Sequence, residues 1–169
     1  CNSVTGSRRC RRRLPRKALG GAGGVGILTG IPRGMAEPMT IPEKKCPFCN
    51  LAPERILAEG PLALAVRDSY PLNPGHALIV PRRHVASWFD ATAAEREEML
   101  RLADDARRII VERHAPDAFN LGINDGPAAG QTIAHLHLHL IPRYEGDVTD
   151  PRGGVRWIIP ERAAYWIKR

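Results

Sequence analysis

From about residue 40 onward, apolar positions recur with two different periods. Residues 91 to about 114 carry Met99, Leu100, Leu102, Ala103, Ala106, Ile109, Ile110 and Val111 at helical spacing, the pattern of a helix with one packed face. Thr92 and Glu95 stand where a capping box would open it. Acids lie toward its start and middle, and Arg107, Arg108 and Arg113 toward its end, mostly the order a helix dipole prefers. Pro61–Val66 and Ala77–Val80 are short apolar runs separated by a loop of turn residues, Asp68 to Gly75. They read as two antiparallel strands. Ala118–Ile123 reads as another strand. A last strand is expected over Thr132–Pro142, where His135, His137 and His139 alternate strictly with Leu136, Leu138 and Leu140. These elements predict an α+β domain, an antiparallel sheet of about five strands with one long helix. The tail from Gly146 has a Pro-Arg-Gly-Gly turn, the apolar run Val155–Ile159 and the aromatics Trp157, Tyr165 and Trp166. It is expected to dock on the body or on a partner subunit.

On a strand, three alternating imidazoles share one face. The leucine face needs only a core to pack in. The histidine face needs another reason, because a merely wet face would carry Lys, Thr or Glu as readily. Half of the six histidines in the chain fall in this run. Imidazole suits metal binding, nucleophilic attack on phosphorus and proton transfer near neutral pH.

Charge changes the picture only after it is localised. The chain has 169 residues and a formal charge of +7. Eight of the 25 basic residues and none of the 18 acids lie in residues 1–35, leaving 17 basic against 18 acidic side chains beyond. The global excess is therefore no reason to expect nucleic-acid binding by the folded domain. Residues 1–39, arginine- and glycine-rich, are expected to be a disordered leader, with 40–169 forming the domain. Three readings of the leader stay open: sequence upstream of a start at Met35 or Met39, a polyanion-binding tail, or a targeting segment. No apolar run approaches the roughly 20 residues of a bilayer span, so a soluble protein with no membrane partner is expected.

Cys46-Pro47-Phe48-Cys49 opens the body. With no secretory signal evident, a reducing, cytoplasmic setting is expected. There such a pair more often binds metal or does redox work than forms a disulfide.

The segment Gly130-Gln131-Thr132-Ile133-Ala134-His135-Leu136-His137-Leu138-His139-Leu140-Ile141 closely resembles the His-φ-His-φ-His-φ-φ signature of the histidine triad (HIT) family, φ being apolar. The likeness extends through Pro74-Gly75-His76, Asn124 and the cysteine pair, over about residues 44–145. It implies a HIT-like fold, a homodimer, and an enzyme that cleaves nucleotides at the α-phosphorus, here dinucleoside polyphosphates. Alternatives are phosphoramidates such as AMP-lysine, transfer to phosphate, or nucleotide binding with weak catalysis. By the resemblance His137 is the nucleophile. His139 assists the leaving group, Gln131 contacts the bridging oxygen or attacking water, and His76 supports the triad. Asp68 matches the ribose-binding position, and Asn124 and Thr132 match phosphate-contacting ones. The tail resembles hydrolase-like members, which offers Arg152 and Arg156 to distal phosphates and Trp157 to the partner's site. It also implies that Cys46, Cys49, His84 and His135 hold structural zinc. Mg²⁺ is expected only as a companion of the polyphosphate.

Overall fold

The computed structural model describes residues 43–167; the leader expected at 1–39 lies outside them. Five strands are formed: β1 (Ile56–Glu59), β2 (Ala63–Arg67), β3 (Ala77–Pro81), β4 (Ala118–Ile123) and β5 (Leu138–Arg143). They make one sheet in the order β1-β2-β3-β5-β4, every pair antiparallel. The long helix α1 (Ala93–His114) connects β3 to β4, and a single helical turn, α2 (Pro160–Ala163), lies near the C-terminal end. No helix of the described residues is long and apolar enough to cross a membrane.

The central strands bury both faces, which explains their nearly unbroken apolar sequences. Ala63, Ala65, Ala77, Ile79, Leu138 and Leu140 face α1, where Met99, Leu102, Ala106 and Ile110 meet them. Three of these six strand residues are alanines, so the helix can lie close to the sheet. Leu64, Val66, Leu78 and Val80 face the other way and pack with Cys46 and Phe48. The cysteine knuckle is thus a second lid on the sheet, on the face opposite the helix. Leu100 and Val111, expected on the packed face of the helix, point to solvent.

The helix has the start expected for it. Thr92 Oγ1 accepts from the Glu95 N–H, while the Glu95 carboxylate accepts from the Thr92 N–H at 2.8 Å. It ends at Ala115, which takes a left-handed conformation (φ +46°) and donates to the Val111 carbonyl. Pro116 then cannot continue the ladder. Gly75, at φ +87°, lets the loop before β3 pass under the helix end; a Cβ there would sit 2.9 Å from Ile110.

Two expectations change. β1 was not foreseen: Ile-Leu-Ala-Glu has no alternation and suits a helix as well. It becomes a strand because β2 offers it an edge. The expected strand at Thr132–Pro142 begins only at Leu138, because residues 133–137 bend away from the ladder.

Glu95 does more than cap. Its carboxylate receives a fork from Arg83, Nε to Oε1 and Nη2 to Oε2, both 2.8 Å. This ties the start of α1 to the segment that follows β3 and leads to His84. Arg83, with help from Thr92, pulls the Glu95 carboxyl down to about 2 from its usual 4.5. The depressed value means that its contribution to stability is complete above pH 4.5 and is lost as pH falls toward 2. Glu95→Ala is expected to cost about 1–3 kcal/mol at pH 7, from the lost cap and the unpaired arginine. The gap to wild type should narrow from pH 5 to pH 2. Urea unfolding at several pH values checks both; a gap that does not change with pH would refute the charged pairing.

Candidate functional site

The sheet face opposite α1 carries two adjoining groups of side chains. In the first, Cys46 and Cys49 are brought together by a tight turn, with the Cys49 N–H donating to the Cys46 carbonyl. His84, three residues beyond β3, and His135, in the bend before β5, close the group. His135 Nδ1 lies 3.4 Å from Cys46 Sγ and 3.6 Å from Cys49 Sγ, and His84 Nδ1 lies 3.2 Å from Cys49 Sγ. All four donor atoms fall within 4.8 Å of one another. Tetrahedral zinc bonds of about 2.3 Å to sulfur and 2.0–2.1 Å to nitrogen imply S···N separations of about 3.6 Å, so the spacing fits such an ion. His135 Nε2 faces the Pro81 carbonyl at 2.9 Å. That carbonyl can only accept, so the proton is on Nε2 and Nδ1 presents its lone pair to the cysteines. Burial, together with the adjacent Cys46, pushes the Cys49 thiol up to about 11. A cation reverses that preference and makes both sulfurs anionic ligands.

The second group is His76, His137 and His139. The bend at 133–137 keeps the alternation although it leaves the ladder. Leu136 is wholly buried against the helix side, and His137, only 7% exposed, points to the other. His137 Nδ1 donates to the backbone carbonyl of His135 at 2.8 Å. The proton is therefore on Nδ1, and Nε2 carries a free lone pair. His139 is on β5, opposite Leu78 of β3 and Gly122 of β4. Its Nδ1 is 3.1 Å from His76 Nε2. The Leu72 N–H donates to His76 Nδ1 at 3.2 Å, which leaves the His76 proton on Nε2, directed at His139. His139 then holds its own proton on Nε2, a donor available to a ligand. Burial, reinforced by His137 and His76, pushes His139 down to about 4, and burial also lowers His76 despite the nearby Asp68 carboxylate. His139 is neutral at pH 7.

Asp68 is at the end of β2. One oxygen accepts from the Tyr70 N–H at 2.8 Å, and the other lies 3.5 Å from His76 Nδ1. Gln131 spans a gap: its Oε1 accepts from the Gly126 N–H and its Nε2 donates to the Ala86 carbonyl, both at 2.8 Å. One N–H and one lone pair remain for a ligand. Thr132 is exposed and Asn124 half-buried. Arg152 and Arg156 are used within the tail. Arg152 pairs with Asp150 at 2.8 Å and lies over Trp166; Arg156 donates to the Arg162 carbonyl and lies over Tyr165. Both sets of contacts stay within the tail. The run Val155–Ile159 forms a 3₁₀ turn (Gly154–Ile158) whose large apolar side chains stay exposed. Trp157 donates to the Arg152 carbonyl.

Sequence reasoning missed two participants. Phe48, between the cysteines, has its ring centroid 5.3 Å from that of His137. Asp125 accepts from Ser87 Oγ at 3.1 Å and from the Trp88 N–H at 2.7 Å, anchoring the loop that carries Asn124. Phe48 could have been found from its place inside the Cys-x-x-Cys turn. Asp125 has no signal beyond a turn composition.

A five-stranded antiparallel sheet with a helix on one face and a row of imidazoles on the other defines a class of protein. The chain belongs to the HIT family: the model of the HIT domain matches residues 50–146. An AP-4-A phosphorylase of Mycobacterium tuberculosis is 42% identical over 93 residues, 54% of this chain and 48% of that protein. A bifunctional bis(5'-adenosyl)-triphosphatase/adenylylsulfatase of Arabidopsis thaliana is 37% identical over 98 residues, 58% of this chain and 54% of that one. The chain thus spans about half the length of the curated relatives it matches. Among solved structures, a zinc-bound histidine triad family protein from Mycobacterium smegmatis aligns with a TM-score of 0.58 at 32% identity, covering 64% of this chain and 82% of that one.

The chain of imidazole protons can be tested directly. In nitrogen-15 NMR of histidine-labelled protein, His139 is expected as the Nε2–H tautomer and should stay neutral until the pH approaches about 4. A midpoint near the ordinary 6.5, or an Nδ1–H tautomer, would refute the arrangement.

Proposed function

We propose that the protein cleaves dinucleoside polyphosphates at the α-phosphorus through a covalent nucleotidyl-histidine on His137. The observation that carries this reading is the His137 Nδ1–H bond to the His135 carbonyl, which leaves the Nε2 lone pair as the nucleophile. In the first step the Nε2 lone pair forms a bond to the α-phosphorus. The bond to the bridging oxygen breaks, and with diadenosine tetraphosphate the leaving group is ATP. His139 Nε2–H, held by His76, donates to that oxygen as its charge develops. In the second step water attacks the same phosphorus, the P–N bond breaks, and AMP leaves with His137 regenerated.

In this reading Asp68 accepts from the ribose hydroxyls, Asn124 and Thr132 contact the phosphates, and Gln131 contacts the bridging oxygen or the incoming water. Arg152 and Arg156 would serve the distal phosphates by exchanging their contacts within the tail. Cys46, Cys49, His84 and His135 hold zinc in this reading, tying the N-terminal knuckle to the segments beside the nucleophile. Thiolate ligands suit a reducing compartment, and we assign the protein to the cytoplasm on that ground. It acts as a homodimer in this proposal, with Trp157 offered to the partner's site. A second reading is favoured by the match to an AP-4-A phosphorylase: phosphate replaces water in the second step and ADP is the product.

Products from diadenosine tetraphosphate, with and without phosphate, and from adenosine phosphoramidate decide among these. AMP with ATP, independent of phosphate, is expected. Phosphate-dependent ADP would make the protein a phosphorylase, and preference for the phosphoramidate would overturn the substrate class. His137→Ala should lower turnover by about 10³-fold or more while the protein still folds; retention of a few per cent would sink the nucleophile. Metal analysis should find one zinc per chain in reduced protein, and none in a fully active sample would reject the metal reading.

A further inference from the structure

His137 lies outside the β5 ladder, which starts at Leu138. The ladder therefore ends one residue short of the nucleophile. Apart from an edge contact with His139, its polar and ring contacts run to the metal-ligand segments. Its Nδ1–H is taken by the backbone carbonyl of His135. Its ring meets Phe48, and Phe48 also meets the His135 ring edge-on, with centroids 5.6 Å apart.

The bend that carries His135 has few hydrogen bonds of its own. The His135 N–H goes back to the Ile133 carbonyl, and the Leu136 N–H goes to the carbonyl of Val85, the residue after His84. The direction of the His135 carbonyl is thus set by the anchoring of the His135 ring together with the buried Leu136 beside it. That ring is fixed at Nε2 by Pro81 and turns Nδ1 to the two thiols. Segments 46–49, 84–85 and 135–136 carry all four ligand atoms, and two of them, through Phe48 and the His135 carbonyl, also contact the nucleophile.

We infer that the Cys46, Cys49, His84 and His135 centre sets the tautomer and orientation of His137, with Phe48 as a positioning residue between them. The inference rests on the zinc and nucleophile readings above and goes beyond a structural staple. Loss of the metal releases the His135 ring, and the His135 carbonyl ceases to select the Nδ1–H form of His137. Phosphorus chemistry then fails while the helix–sheet core, on the other face, stays folded.

The test uses full-length, histidine-labelled protein reconstituted with zinc chloride. Wild type with zinc, wild type stripped by a chelator, Cys49→Ser and Phe48→Leu are compared. The readouts are nitrogen-15 tautomer signals of His137, circular dichroism, zinc content and steady-state kinetics. With zinc bound, His137 should be a single Nδ1–H tautomer. In the stripped protein and in Cys49→Ser it should become a mixture, with kcat reduced about tenfold or more and KM changed less than about twofold. Restored zinc should restore the single tautomer in wild type. Phe48→Leu should keep its zinc and still lose several-fold in kcat, which keeps the inference falsifiable if the zinc-free forms unfold. An unchanged His137 tautomer and full kcat in folded, zinc-free protein would overturn it. So would wild-type kcat and tautomer in Phe48→Leu, where zinc-free protein does not fold. A wild type that binds no zinc, or an active His137→Ala, would instead locate the failure in the underlying readings.

Discussion

The burial of Leu136, Leu138 and Leu140 against α1 is the constraint on which the histidine face depends. Side chains at alternate positions point to opposite sides. Once three leucines enter the helix-side core, His135, His137 and His139 have no choice but the opposite face. The alternation survives even where the ladder does not, because Leu136 is fully buried two residues before β5 has a partner at all. A slip of one residue would bring imidazoles into an alkyl core and leucines onto the knuckle. Both outcomes cost several kcal/mol in desolvation and lost packing, so the register has no near competitor.

On that face, burial pushes His76, His135 and His139 below the ordinary imidazole range. The His137 and His139 rings are 5.0 Å apart, and the His76 and His139 rings 5.3 Å. Charging one would disfavour charging the next. Backbone groups then decide where each proton sits. The His135 and Pro81 carbonyls can only accept, and the Leu72 N–H can only donate. A lone pair at His137 Nε2 and a donor at His139 Nε2 follow from those partners, with no charged side chain needed to enforce them.

The opposite sheet faces divide the labour. The helix face is apolar and carries the stability. The other is lidded by the cysteine knuckle, which places Phe48 and two thiols directly against the histidines. Arg83 and Glu95 join these halves, since the fork at the helix start also holds the segment that presents His84. The tail is held by arginine–aromatic pairs and backbone contacts within itself, and its 3₁₀ turn lies against β4.

The sequence by itself determined the two periods, and with them the long helix, its capping box, the antiparallel strands and the pairing of a leucine face with a histidine face. It also marked the Cys46–Cys49 pair, because a Cys-x-x-Cys turn is chemically distinctive wherever it folds; His84 and His135 joined it only through the resemblance to the HIT family. These features are local, set by spacing and side-chain type. Tertiary structure alone decided what depends on neighbours. It made Ile56–Glu59 a strand, since an unaligned four-residue segment pairs only when an edge such as β2 is present. It took residues 133–137 out of the ladder, since the Leu136 N–H finds Val85 and not a strand. It turned Leu100 and Val111 to solvent, since the width of a buried helix face is set by the sheet beneath it. It also chose the nitrogen on which His135 and His139 keep their protons, since the Pro81 carbonyl and the His76 ring that settle it lie 54 and 63 residues away in sequence, beyond the reach of any local pattern.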